Sequence, residues 1–276
     1  TLGDNKTVFT KFNNPEKNLS NHYEGKVLGE IWGYRVDGLF ASDEEAAEYT
    51  SKINQDAVNE RILTDKVDPY YRAGDLKFRD LDGDNVISKG DDTAYDAGDR
   101  EIIGNETPRY MYSFRLGADW NGFDLGIFFQ GVGKRDWYPN YLSTGFWGPY
   151  SRAFTSFIPE NFMDQCWSEE NRDGYFPRFR GYQTFAGSQL GVNNDRYLQD
   201  ASYIRLKNLT VGYTLPVLKK VFTKLRVYFT GENLWYWSPM LKHTKYIDPE
   251  AAGGNGNTGM AYNYSRNFSV GVDITF

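Results

Sequence analysis

Arg109-Tyr110-Met111-Tyr112-Ser113-Phe114-Arg115-Leu116-Gly117-Ala118-Asp119-Trp120, then Asn121-Gly122, then Phe123-Asp124-Leu125-Gly126-Ile127-Phe128-Phe129-Gln130-Gly131-Val132-Gly133 is the stretch that decides the fold. Asn-Gly between two alternating runs signals a tight hairpin, because both residues tolerate the positive φ of a type I′ turn. Tyr110, Tyr112, Phe114, Leu116, Ala118 and Trp120 share one face of the first arm, and Met111, Ser113, Arg115, Gly117 and Asp119 share the other. The second arm sets Phe123, Leu125, Ile127 and Phe129 against Asp124, Gly126, Phe128 and Gln130. Each arm is about ten residues or more, against about five to six for a typical soluble strand. Long strands, apolar on one face, polar on the other and aromatic at both ends, suit the wall of a transmembrane barrel. The hairpin by itself leaves a large soluble β-sandwich open, since its strands also alternate.

Composition narrows the choice. Aromatics make up 17% of the 276 residues, yet mean hydropathy is −0.64. No run approaches the roughly 20 apolar residues of a membrane-crossing helix, whereas a barrel strand hides half its polarity in the lumen. Cys166 is the single cysteine and cannot form an internal disulfide. His22 and His243 stand far apart without metal spacing and read as surface residues. Residues 37–108 hold 19 of the 37 acids and 8 of the 31 bases, a segment charge of about −11. That acidity argues against a nucleic-acid partner and points to cations. The chain opens Thr1-Leu2-Gly3 with no signal peptide, so a membrane-exported fragment lacking its N-terminal part is expected.

Further strands are expected at residues 2–12, 26–36, 203–215, 225–237 and 268–276. Around Lys207-Asn208 the alternation changes parity, which predicts a β-bulge. Ser42-Asp43-Glu44-Glu45 is a capping-box pattern and predicts a short helix with Ala46, Tyr49 and Ile53 inward, with a second turn of helix near 57–63. The connections run short (13–22), long (37–108), two residues (121–122), long (135–196), short (216–223) and long (238–263). Strands that cross a membrane up and down, with tight turns on one side and extended loops on the other, give this alternation directly. The expected fold is therefore an all-β, antiparallel transmembrane β-barrel. Its outward face, with Phe114, Trp120, Val270, Val272 and Ile274, meets outer-membrane lipid. Arg115, Asp119, Asp124, Asp273 and Thr275 face the lumen.

Asp80-Leu81-Asp82-Gly83-Asp84-Asn85-Val86-Ile87-Ser88-Lys89-Gly90-Asp91 carries acids at positions 1, 3, 5 and 12 of twelve. This is EF-hand spacing, so Asp80, Asp82, Asp84, Asp91 and the Val86 carbonyl are the expected ligands of a structural Ca²⁺. Asn85 stands where Gly is usual, though Asn also enters the left-handed region readily. No nucleophile–base pair, P-loop or other catalytic grouping is present, so no enzyme activity is expected. Trp137, Tyr138, Tyr141, Trp147, Tyr150 and Trp167, in the long loops, are candidates for stacking on sugars or peptides, or for packing and interfacial anchoring.

Several stretches carry a resemblance. They are Gly74-Asp75-Leu76-Lys77-Phe78 with the acidic loop, G-D-R-E-I-I-G-N (98–105) with Pro108-Arg109-Tyr110, and W-N-G-F-D-L-G-I-F-F-Q-G-V-G-K-R-D-W-Y-P (120–139). They continue with R-Y-L-Q-D-A-S-Y-I-R-L-K-N-L-T-V-G-Y-T-L-P (196–216), L-R-V-Y-F-T-G-E-N-L-W (225–235) and the terminal N-F-S-V-G-V-D-I-T-F. In this order they resemble the C-terminal part of a SusC/RagA-like TonB-dependent transporter of Bacteroidetes outer membranes. The resemblance implies that residues 1–276 belong to one barrel domain of about 22 strands. The loops 37–108, 135–196 and 238–263 would be extracellular, and the plug and N-terminal domains would lie outside this chain. It also implies a SusD-like surface lipoprotein as lid, energy from TonB, and an oligosaccharide or oligopeptide as cargo. A smaller porin or adhesin barrel and a soluble carbohydrate-binding β-sandwich are the alternatives.

Overall fold

The computed structural model describes residues 1–152, 158–181, 183–216, 223–252 and 263–276. The Gly253–Asn257 run and most of the 216–223 turn lie outside these residues. In chain order the elements are β1 (Leu2–Gly3), β2 (Glu30–Tyr34), β3 (Val36–Leu39), α1 (Asp43–Thr50) and α2 (Glu60–Leu63). They continue with β4 (Leu76–Phe78), β5 (Arg100–Asn105), β6 (Arg109–Trp120), β7 (Phe123–Lys134), β8 (Asp136–Trp137) and α3 (Thr144–Trp147). The last are β9 (Gln199–Asp200), β10 (Tyr203–Leu215), β11 (Lys224–Trp237) and β12 (Asn267–Thr275).

One antiparallel sheet, ordered β1-β6-β7-β10-β11-β12, carries the long strands. At its hairpin Asn121 has φ 50° and Gly122 φ 87°, as a type I′ turn requires, and Trp120 pairs with Phe123 across it. Register extends the two faces across the sheet. Leu116 opposes Ile127, Leu125 opposes Val211, Val211 opposes Phe229, and Phe229 opposes Val270. This apolar face is open, with Trp120 and Val270 each 76% exposed. The register between β10 and its neighbours shifts between Leu206 and Asn208, so the bulge lies where the parity change placed it.

The opposite face is polar and ion-paired. Arg226 on β11 donates to Asp124 on β7 (2.6 and 2.9 Å) and to Asp273 on β12 (3.1 Å). To reach Asp124 its side chain crosses β10 directly above Gly212. A Cβ there would lie 2.2 Å from the Asp124 carboxylate and 2.6 Å from the guanidinium. Gly212 is thus a gap that lets one arginine tie three strands together.

Residues 26–36 do not join this wall. β2 pairs instead with β5 in a separate two-stranded sheet, Trp32 opposite Ile102. Residues 13–22 are not a wall turn either: the Asn14 amide spans the Asn18 and His22 carbonyls, and Asn18 bridges to Thr93. Alternation reports that one face is buried without saying against which sheet. Here Ile31 and Tyr34 are buried in a core formed by the connections. The β1–β6 connection therefore runs over 4–108, and long and short connections still alternate.

Helix α1 begins as its capping box predicts, with the Ser42 hydroxyl accepting from Glu45 N–H (3.1 Å). Ala46 packs with Phe40, Ile62 and Tyr71, and Tyr49 lies against them. The other connecting segments share one larger core, which takes Leu76, Phe78 and Ile87 from the first connection, Trp137, Phe146, Trp147, Tyr150, Phe162, Phe176 and Tyr197 from the second, and Met240 and Ile247 from the third. Of the six loop aromatics that were candidates for stacking on ligands, only Tyr141 is exposed. The rest pack within the cap. Low periodicity in 135–196 thus records an irregular aromatic core, where turn bonds such as Trp167 N–H to the Phe176 carbonyl and side-chain bonds such as the Tyr150 hydroxyl to the Pro177 carbonyl pair backbone groups.

Candidate functional site

The acidic loop folds around its first carboxylate. Asp80 accepts from Gly83 N–H (2.7 Å) and Asn85 N–H (2.9 Å), Asp82 from Asp84 N–H (3.1 Å), and Asp84 from Val86 N–H (2.7 Å). Asn85 takes φ 68°, so it does adopt the left-handed turn for which Gly is usual. Val86 bridges Asn54, and Ile87 N–H donates to the Asn54 carbonyl (2.7 Å), placing Ile87 in the core.

Oxygens of Asp80 and Asp82 converge with one from Asp99, all within 4.8 Å of one another. Asp84 and Asp91 are not in this group. Residues 89–98 close on themselves: a Cβ on Gly90 would lie 2.6 Å from Gly98 N, and Asp96 accepts from Gly98 and Asp91 N–H. Asp92 pairs with Arg100 (2.7 Å). This short excursion returns the chain to Ser88, whose N–H donates to Asp99 (2.7 Å) while Leu81 N–H donates to its other oxygen (2.7 Å). Counting twelve residues from Asp80 steps into the excursion and stops at Asp91. A repeated Gly-Asp pair, Gly90-Asp91 and Gly98-Asp99, brackets the excursion.

Asp99 is fully buried, without an ion pair among the described residues. Burial pushes its carboxyl above the ordinary range. Two backbone N–H groups pull it down, and Asp82 and Asp80 push it up again. Three convergent carboxylates, one desolvated and facing like charges, form a donor set that suits a hard divalent cation.

Two buried ion pairs bind the cap together, and neither was visible as a pair in the sequence. Asp75, wholly buried, accepts from Arg180 (2.8 Å) and so joins the first and second connections. Arg205 on β10, 1% exposed, pairs with Asp248 and with Glu250 (3.0 Å), and Lys207 pairs with Glu250 (2.8 Å). The Arg205 guanidinium also lies over the Tyr236 ring at 4.6 Å. The third connection is thereby anchored on the inner face of the wall at the bulge. Such pairs specify a geometry more than they add stability. His243 is half-buried and stacked on Tyr175 at 3.6 Å, not a plain surface residue. Burial, then Lys242 and Arg196, lowers its imidazole pKa to about 4.

A long antiparallel sheet, apolar outside and ion-paired inside, with its long connections folded into a cap, is the architecture of a membrane barrel wall. No helix among the described residues is long and apolar enough to cross a membrane, which says nothing about strands. No protein-family model matches the chain. TonB-dependent receptor P3 of Formosa agariphila is 30% identical over 92% of this chain and 22% of the receptor. A second TonB-dependent receptor of that organism is 28% identical over 74% of this chain and 20% of its own length. The structure of the RagAB peptide transporter has the same fold with TM-score 0.57 and 20% identity, covering 99% of this chain and 24% of that one. The RagAB peptide importer in the open-open state gives TM-score 0.54 and 21% identity over 99% of this chain and 24% of that one. The chain thus spans about a fifth to a quarter of its relatives' length. By sequence and by fold it is similar to part of a SusC/RagA-like TonB-dependent transporter, as its motifs indicated. The wall is an all-β segment of a RagA-like barrel. These relatives are receptors and importers, in agreement with the expectation of no enzyme activity.

Proposed function

We propose that the protein containing this chain imports an oligosaccharide or oligopeptide across the outer membrane, driven by TonB and working with a SusD-like lipoprotein lid. The observation that carries this reading is the cap. Three long connections pool their side chains into one core, which gives a preformed surface at one end of the wall, while at the opposite end β6 turns into β7 through two residues. A rigid surface of that kind suits recognition of a large partner and of cargo, and it faces outward in this reading. The wall offers passage, and a plugged barrel needs energy from the inner membrane. Deleting 140–190 from the full-length protein is expected to abolish uptake and lid co-purification while the barrel still assembles. Wild-type uptake and co-purification in that deletion would remove the reading.

Within the cap, we propose that the acidic loop holds one structural Ca²⁺. Asp80, Asp82 and Asp99 support this role by their convergence, and Asp84, Asp91 and the Val86 carbonyl remain the further ligands suggested by spacing. The pH dependence has a definite sign. A carboxyl whose folded pKa is raised binds more protons folded than unfolded, so stability falls as pH rises through its titration. Without metal, hydrogen-exchange protection of residues 75–103 is expected to fall as pH climbs through and above the carboxylate range. Millimolar Ca²⁺ should restore it at neutral pH. Asp82→Ala with Asp99→Asn should make protection insensitive to Ca²⁺. A wild-type loop that Ca²⁺ leaves unchanged at pH 7 would rule out the site.

A further inference from the structure

We propose that Arg135 and the inward-facing cavity beside it form a carboxylate-binding subsite, an inference that rests on the importer reading and names the chemistry of one cargo group. The cavity has a volume of about 380 Å³ and lies where the wall meets the cap. Met111, Phe128, Val132 and Tyr203 give it an apolar lining, and Gln130 and Ser113 add neutral hydrogen-bonding groups. Arg135 lies just past β7 and is partly buried. Among the described residues its side chain makes one weak bond, from Nη1 to the Pro249 carbonyl at 3.4 Å, and its buried Nε has no partner.

Other arginines on the inner face behave differently. Arg205 and Arg226 each pair with two carboxylates. Arg135 has none within ion-pair distance among the described residues, and the one acid of this cavity, Glu250, is already held by Arg205 and Lys207. A desolvated guanidinium without a counter-ion is costly, and its planar fork matches a carboxylate's two oxygens. A single cation with neutral donors balances one negative charge, so a monoanionic carboxylate fits better than a phosphate dianion. The apolar lining suits a hydrocarbon body attached to that group.

The probes are 4-phenylbutyrate and its amide, titrated by saturation-transfer NMR into the full-length protein purified with its partner. The acid is expected to bind at least about tenfold tighter than the amide, as a charge-assisted bond implies. Arg135→Gln should erase that preference, Arg135→Lys should reduce it, and Arg172→Gln, on the exposed cap, should leave it unchanged. Equal binding of acid and amide by the wild type overturns the proposal. So does binding of neither, as would follow if a carboxylate of the protein itself filled the site. If Arg135→Gln fails to assemble, Arg135→Lys decides, and an unchanged preference in it overturns the proposal. Intact uptake without acid preference counts against this subsite alone, whereas acid preference without any uptake counts against the importer reading alone.

Discussion

Val272→Arg is expected to cost about 2–4 kcal/mol of folding stability in a bilayer, and Ser269→Arg on the same strand is expected to escape that penalty. Val272 lies on β12 opposite Val227, within the continuous apolar face that includes Leu225, Phe229, Val270 and Ile274. An arginine there would have to enter hydrocarbon or distort the bilayer to reach water. Ser269 opposes Thr230, on the polar face that carries the Asp124–Arg226–Asp273 network. Gly271 would be the wrong control although it shares that face. Its Cβ would lie 2.3 Å from the Tyr228 ring, so any side chain there displaces the tyrosine, and the cost would report packing. Reversible denaturant titration of the full-length protein in lipid bilayers measures both variants. Equal costs at 269 and 272 would remove the assignment of faces, and with it the barrel reading of the wall.

The wall was legible because its physics is periodic. Alternation over ten or more residues, Asn121-Gly122 and the change of parity at Lys207 each map onto one geometric event, and the register contains all three. The strand at 26–36 was misplaced because a period of two reports only that one face is buried. Ile31 and Tyr34 are buried beneath the cap instead. The fate of the loop aromatics was hidden for a related reason. Trp147 meets Phe176 and Tyr197, and Tyr150 meets Phe162 and Phe176, in an irregular core with no repeat to read. In the acidic loop Asp99 converges with Asp80 and Asp82 although a twelve-residue count ends at Asp91, because the intervening turn 89–98 separates it from them in sequence. Pairs such as Asp75–Arg180 and Arg205–Asp248 join residues that are remote in sequence, and a single chain carries no mark of them.

Trp147→Ala is expected to destabilise the cap by about 3–5 kcal/mol while leaving the wall strands protected. Trp147 is fully buried and meets Phe146 at 4.8 Å, Tyr197 at 5.2 Å and Phe176 at 6.2 Å, in near-edge-on contacts. Its indole N–H is shared between the Asn140 (2.9 Å) and Pro139 (3.1 Å) carbonyls, so truncation also orphans backbone acceptors. The same core includes Phe78 and Ile87 of the first connection and Ile247 of the third. A cavity at Trp147 should therefore loosen all three connections together, because they share one interior. Hydrogen exchange should show protection lost across 30–105, 136–200 and 238–252, with 109–134 and 203–215 unchanged. Lid co-purification should fall with it, if the cap is the docking surface. Tyr141→Ala, at an aromatic that is 48% exposed, is expected to stay within about 0.5 kcal/mol of the wild type. Loss of protection confined to 135–200 in Trp147→Ala would mean that the connections fold separately, and the cap would then not be one preformed recognition surface.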